Sequence, residues 1–263
     1  MSAAPIGVFD SGAGGLSILS GIRLLLPAEN LLYVADTAHA PYGPKGAAYI
    51  RARSERILQF FLQRGVKAVV VACNTATTVA IADLRAHHEL PIVGVEPAVK
   101  PAAALSRSGV VGVLATQGTI SSDKFLHLKN RFNHQVEFIT CPCPGLVQEI
   151  ERLDPDPLTL RALLRAFIEP MLARGADTLV LGCTHYPLVR TELQAIAGND
   201  VAVVDAGDAV ARELQRRLAE RGLLNAVAQE GQVTFFTSGD PAQQACLLGR
   251  YWDGPLQVWP LSP

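Results

Sequence analysis

What this chain of 263 residues lacks bounds its function before any motif does. No run of basic residues occurs, and 23 Lys and Arg stand against 24 Asp and Glu for a formal net charge of −1. Nothing concentrates the positive charge that a phosphate backbone requires, so nucleic acid is excluded as the primary partner. Lys, Arg, Asp or Pro interrupts every apolar stretch before it reaches membrane-spanning length, so no membrane partner is expected. The opening MSAAPIGVFDSG enters a strand with no basic region ahead of it, which argues against a signal peptide. The P-loop pattern GxxxxGK followed by Ser or Thr is missing, and so is GxGxxG, which disfavours a nucleotide at the glycine-rich residues 10–15. Cysteine is scarce and odd in number, with five residues and no CxxC spacing. That count argues against a disulfide framework and for a reducing compartment, here the cytoplasm. A metal site built from Cys141, Cys143, Cys183 and His185 is disfavoured for want of paired spacing.

One stretch is present twice. Residues 65–75 read GVKAVVVACNT and residues 175–185 read GADTLVLGCTH. Each has a glycine, a short polar step, four apolar residues, a small residue and a cysteine, and Cys73 and Cys183 share the offset of their glycines. A glycine-bounded apolar run reads as a buried parallel strand. Both cysteines therefore fall at carboxyl ends of strands, where α/β sheets place ligands. A single cysteine there is more often space-filling. The matched pair, with polar residues after each member, points instead to two halves of one site. Cys246, inside a helical pattern, reads as core.

The rest of the chain alternates strand and helix. Strands are expected at 6–9, 31–35, 66–72 and 91–95, then at 110–116, 136–140, 176–182 and 201–204, with a last strand at 233–237. Helices are expected at 16–26, 49–64, 76–87, 121–130, 158–174, 209–221 and 241–251. Asn74 and Thr75 are candidates to cap the third of these, and Pro170 should kink the fifth. The pattern predicts an α/β protein of two pseudo-symmetric three-layer domains with mostly parallel sheets and the active site in the cleft between them. The first domain is expected to be discontinuous, residues 1–97 plus 206–263, and the second to span 98–205.

Two thiols on opposite sides of a cleft suit one reaction class, in which a proton leaves one face of a carbon and another arrives at the opposite face. A free thiol titrates near ~8.5, so its thiolate needs local support. Each cysteine precedes a helix whose positive end favours a thiolate and a substrate carboxylate. Asp10 is placed to orient or assist Cys73, and His185 to exchange a proton with Cys183. A hydrolase with one Cys–His pair would leave the second thiol unexplained.

FDSGAGGLSIL at 9–19, APYGPK at 40–45, VVACNTATT at 70–78, GVEPAV at 94–99 and LGCTHYPL at 181–188 together resemble the glutamate racemases of the cofactor-independent aspartate/glutamate racemase superfamily, across essentially the whole chain. The resemblance implies interconversion of L- and D-glutamate with no cofactor, supply of D-glutamate for peptidoglycan, and a homodimer. It implies that Cys73 acts on the D-isomer and Cys183 on the L-isomer. It further implies that Asp10 supports Cys73, and that His185 supports Cys183 with a glutamate of the segment LVQEIE. Glu151 matches that glutamate, and Glu149 competes for the assignment. Asp10, Ser11, Tyr42, Gly43, Asn74, Thr75, Thr184 and His185 match substrate-binding positions, and Thr116 joins them from its place after a first strand. Taken singly, Tyr42-Gly43 could be a turn, Thr75 an N-cap, and Asp10 or Glu151 a solvated carboxylate. Asp36 and Thr37 could simply orient their loop. An aspartate racemase and a non-catalytic amino-acid-binding protein are the rival readings.

Overall fold

Each glycine-bounded apolar run becomes an interior strand of a parallel sheet. The computed structural model describes residues 3–226 and 229–261. The chain divides into two compact units, Met1–Val95 with Gly207–Pro263, and Glu96–Ala206; the sequence reading set the boundaries after residues 97 and 205.

The first unit begins β1 Ile6–Asp10, α1 Leu16–Leu25, β2 Leu31–Ala35, α2 Ala47–Gln63, β3 Ala68–Val71, α3 Asn74–His87 and β4 Ile92–Gly94. The second runs α4 Val99–Leu105, β5 Val110–Ala115, α5 Gln117–Ile120, α6 Asp123–Asn130, β6 Glu137–Pro142, α7 Leu146–Glu151, α8 Pro157–Ala173, β7 Thr178–Leu181, α9 Arg190–Ala197 and β8 Ala202–Val204. The chain then returns to the first unit with α10 Gly207–Glu220, β9 Val233–Thr237, α11 Pro241–Leu248 and β10 Val258–Pro260.

Strand order is β10-β9-β2-β1-β3-β4 in the first sheet and β6-β5-β7-β8 in the second. Every pairing is parallel, including β2 with β9. The four strands β2-β1-β3-β4 repeat as β6-β5-β7-β8, so both sheets reverse their strand order between the first strand and the cysteine strand.

The duplication extends to the helix that feeds each cysteine strand. α2 and α8 are both 17 residues long. Both end in a left-handed glycine, Gly65 at φ +66° and Gly175 at φ +86°. Gly65 N–H donates to Leu62 O and Val66 N–H to Phe61 O; Gly175 N–H donates to Leu172 O and Ala176 N–H to Met171 O. This paired bonding is the Schellman closure that glycine permits without a Cβ penalty. Phe61 lies against Gly7 of β1, where an added Cβ would stand 2.7 Å from the ring carbons; Met171 lies against Gly112 of β5, where it would stand 2.5 Å from the sulfur. In the first unit, Phe9, Val34, Val69 and Val71 pack with Ile57, Phe61, Ala80 and Leu84 of α2 and α3 in one buried cluster. All five residues of β1 are buried, as a strand covered on both faces must be.

Several local expectations are corrected. Helices α4, α5 and α7 and strand β10 have no counterpart in the sequence reading, because three to seven residues carry too little periodicity to register. The expected helix 121–130 is α6, which starts at Asp123 because Ser122 caps it by accepting Phe125 N–H. β6 runs on through Cys141 and Pro142, two residues past the expected end at 140. The expected long helix is present as α8 and includes Pro170; that residue and Ala166, whose carbonyl loses its partner, are exposed, so water can serve the freed group. Cys246 is exposed, not core, because α11 buries Gln244, Leu247 and Leu248.

The two glycine contacts differ in what must yield. Gly7→Ala pushes on the root of a fully buried ring and should cost about 1–3 kcal/mol in urea unfolding. Gly112→Ala presses on the flexible ends of Met171 and Leu179 and should cost less. Equal costs would show that Phe61 is free to shift.

Candidate active site

The order reversal sets the carboxyl ends of β1 and β3 side by side, and those of β5 and β7 likewise. Loops leaving adjacent strands toward opposite faces part at such a point, which leaves backbone donors open to a ligand. Ala72 N–H donates to Phe9 O at 2.8 Å, and Gly182 N–H to Leu114 O at 2.7 Å. These matched ladder bonds deliver Cys73 and Cys183 to equivalent positions, and both thiols are buried.

In the first unit, Asp10 ends β1 and is fully buried, with Oδ1 accepting Gly12 N–H at 2.8 Å. Tyr33 Oη donates to Gly12 O at 2.8 Å. These bonds hold the turn that presents Ser11, whose Oγ lies 3.8 Å from Cys73 Sγ. Cys73 is itself the N-cap of α3: its sulfur accepts Ala76 N–H at 3.5 Å. That corrects the expectation that Asn74 or Thr75 caps the helix; both instead occupy its first turn, buried. A donated N–H and the positive helix end interact more strongly with a thiolate than with a thiol.

Tyr42 is buried in the cluster that holds Cys73. Its phenol donates to Asp36 Oδ2 at 2.5 Å. Arg53 of α2 grips the same carboxylate with two donors, Nε to Oδ2 at 3.0 Å and Nη2 to Oδ1 at 2.6 Å. Burial alone would raise the Asp36 carboxyl, but hydrogen bonds from Arg53, Tyr42 and Ser238 overcome it and hold the group below the usual range. Burial, with the Asp36 charge beside it, pushes the Tyr42 phenol well above its ordinary value. The phenol therefore stays protonated, donates its hydrogen bond to Asp36, and keeps oxygen lone pairs for another donor. Gly43 follows with open space about its Cα.

The second unit supports its thiol with side chains. Cys183 Sγ lies 3.8 Å from His185 Nδ1, and His185 Nε2–H donates to Glu151 Oε1 at 2.7 Å. Burial would lower the imidazole, but the Glu151 carboxylate and the Cys183 sulfur overcome it, so His185 is raised well above its ordinary value, which favours its charged form. Glu149 points elsewhere: its carboxylate accepts Asp156 N–H at 2.9 Å and Arg152 Nη1–H at 3.3 Å. Thr184 is buried between the cysteine and the histidine in sequence. Thr116 holds the position after β5 that Ser11 holds after β1, and its Oγ1 caps α5 by accepting Thr119 N–H. Nearby, burial pushes the Cys143 thiol up, so it persists as a neutral thiol. Among the described residues no group of three His, Cys, Asp or Glu is arranged to hold a metal ion.

Asp10, Ser11, Cys73, Asn74 and Thr75 thus come together at one strand-order switch, with Tyr42 in the core beside it, and Cys183, Thr184, His185 and Glu151 come together in the second unit. Sequence reasoning gave Asp36 only a loop-orienting part, which its bond from Tyr42 fits, and passed over Arg53. The only available signal was the repeat of an aspartate at the ends of two paired strands, and nothing in the spacing pointed to Arg53.

The sequence matches the profile of the Asp/Glu/Hydantoin racemases over residues 6–214. A glutamate racemase of Pseudomonas entomophila is 55% identical over 261 residues, covering 98% of each chain. The solved structure of glutamate racemase isoform RacE1 from Bacillus anthracis is similar at a TM-score of 0.89 and 30% identity, covering 100% of this chain and 98% of that one. Glutamate racemase from Francisella tularensis, solved with D-glutamate, is similar at a TM-score of 0.83 and 27% identity, covering 100% of this chain and 98% of that one.

Two ionic contacts give direct tests. Arg53→Ala strands the buried Asp36 charge and should cost about 3–5 kcal/mol in denaturant unfolding; adding Asp36→Asn should recover part of that loss. The raised His185 contributes stability that is complete below its unfolded value of about 6.5 and is lost as pH rises through the folded value. Glu151→Gln should therefore flatten the fall in thermal stability above neutrality and lower the imidazole titration seen by NMR. Glu149→Gln should leave that titration in place; if it moves the imidazole as far as Glu151→Gln does, the assignment of the partner is wrong.

Proposed function

This chain belongs to the Asp/Glu/Hydantoin racemase family, and on that premise we propose that it is a glutamate racemase working by two opposed thiols and no cofactor. Supporting the substrate are full-length relatives of that name at 55% identity. Supporting the chemistry is one observation above the rest: two buried thiols at equivalent strand ends, each with its own polar companion.

The proposed reaction keeps its protons in balance. With D-glutamate bound, the Cys73 thiolate removes the Cα proton and becomes a thiol. The electron pair spreads into the substrate carboxylate, which Ser11, Asn74, Thr75 and Thr184 steady with hydroxyl, amide and backbone N–H donors. The Cys183 thiol then gives its proton to the opposite face of Cα, yielding L-glutamate and a Cys183 thiolate beside the His185 imidazolium. The return reaction begins from that ion pair. Glu151 orients the imidazole and keeps it charged. Asp10 shapes the turn that carries Ser11, and the Tyr42-Gly43 segment and Thr116 complete the substrate contacts. The proposal requires both sulfurs to reach opposite faces of a single Cα. In the cell the same reading makes the protein a cytoplasmic homodimer that supplies D-glutamate for peptidoglycan.

Because the two substrates are enantiomers, the equilibrium constant is unity and kcat/KM must change equally in both directions in any variant. Rates of net racemisation therefore cannot assign a thiol to an isomer, but exchange can. Cys73→Ser and Cys183→Ser should each lower racemisation by about 10²–10⁴-fold, the usual weight of a positioned acid–base group. In deuterated solvent, Cys183→Ser should retain slow exchange at Cα of D-glutamate, and Cys73→Ser slow exchange at Cα of L-glutamate. Native racemisation in either single variant would end the two-base mechanism.

A further inference from the structure

Behind the Asp36 cluster, the first unit carries a hollow of about 350 Å³, within the size range of small-ligand sites. His39, Arg53, Arg56, Gln59 and Ser238 line it, with Phe60 as an apolar wall. Arg53, Arg56 and Phe60 stand three, then four, residues apart on α2 and so share one face of the helix. No acidic side chain lines the hollow among the described residues. Arg56 is exposed and has no hydrogen-bond or ion-pair partner among the described residues. Arg53 spends Nε and Nη2 on Asp36, which leaves the two donors of Nη1 unassigned. A guanidinium with a free edge beside a second, unpaired guanidinium is a fork for an anion.

We propose that this hollow binds a small organic anion, a carboxylate or phosphate carried on an apolar group, and that its occupancy is felt at the substrate loop through Arg53, Asp36 and Tyr42. The anion takes the Nη1 edge of Arg53 and the head of Arg56, and its apolar part lies on Phe60. Negative charge there competes with Asp36 for Arg53. Asp36 in turn is the hydrogen-bond acceptor of Tyr42, so a weaker Arg53–Asp36 grip loosens the segment 42–43. The imidazole of His39 already senses this field: burial, with Arg53, Lys45 and Arg56, holds it below its ordinary value against the opposing pull of Asp36. It donates to or accepts from Tyr49 Oη at 2.5 Å. The binding claim stands apart from the racemase reading, and only the coupling to catalysis rests on that reading.

The probes are phenyl phosphate and benzoate, with phenol as the uncharged control and Arg56→Gln as the variant. Ligand-observed NMR should show one or both anions binding the native protein, phenol failing to bind, and Arg56→Gln binding at least about tenfold more weakly, as the loss of a charge-assisted hydrogen bond implies. The arm that binds more tightly identifies the anion class. In the complex the His39 imidazole should titrate at higher pH than in the free protein. At saturation the KM for D-glutamate should rise about fivefold, the low end of allosteric coupling, in the native protein and not in Arg56→Gln, whose KM without probe should be native. No binding at millimolar probe, or equal binding by Arg56→Gln, would overturn the site. A KM rise that persists in Arg56→Gln would place the anion at the substrate carboxylate instead, and binding with unchanged KM would overturn the coupling. If the protein does not racemise glutamate at all, the binding and the His39 titration still decide the site.

Discussion

The hydrogen-bonded order of the parallel strands is the constraint on which the site depends. A β-strand flanked by neighbours reached through connections on opposite faces leaves a gap at its carboxyl end, because the two loops turn away from each other. That gap occurs at β1/β3 and again at β5/β7. It needs only the ladder bonds that seat Ala72 and Gly182, which hold the next residue, a cysteine in both cases, at the mouth of the gap. The matched Schellman closures at Gly65 and Gly175 and the bare glycines under Phe61 and Met171 set the height and angle of the helix feeding each strand.

Equivalent scaffolds nonetheless support the two thiols by different means. α3 begins immediately after Cys73, so the helix end itself reaches the sulfur through Ala76 N–H. After Cys183 the chain makes a short 3-10 turn, Tyr186–Val189, before α9 begins. Among the described residues α9 starts seven residues past that sulfur, and the His185 imidazole, whose charged form Glu151 favours, stands in for the partial charge of a helix terminus. The same requirement, a place for negative charge on sulfur, is met by backbone in one half and by side chains in the other.

The segment after residue 206 gives the first unit what the second lacks. β9 pairs with β2 and brings Thr237 and Ser238 to the loop that starts at Asp36: Thr37 and Thr237 hydroxyls lie 2.7 Å apart, and Ala38 N–H donates to Ser238 Oγ at 3.1 Å. Together with the Arg53 fork, these contacts convert a Pro- and Gly-rich loop into a fixed wall carrying Tyr42.

The repeat, the alternation of strand and helix, both cysteines and the motif residues around them were legible in the sequence, because each depends on local pattern: apolar runs bounded by glycine, and short polar clusters at strand ends. The capping of α3 by Cys73 itself and the grip of Arg53 on Asp36 were not legible, and spacing alone left Glu149 in competition with the Glu151 that the family resemblance named as partner of His185. Each joins residues whose proximity is set by helix rotation or by strand order, and neither quantity is written in the spacing. Two carboxylates two positions apart on α7 look alike in one dimension; the turn of the helix sends Glu149 to Asp156 and Glu151 to the histidine.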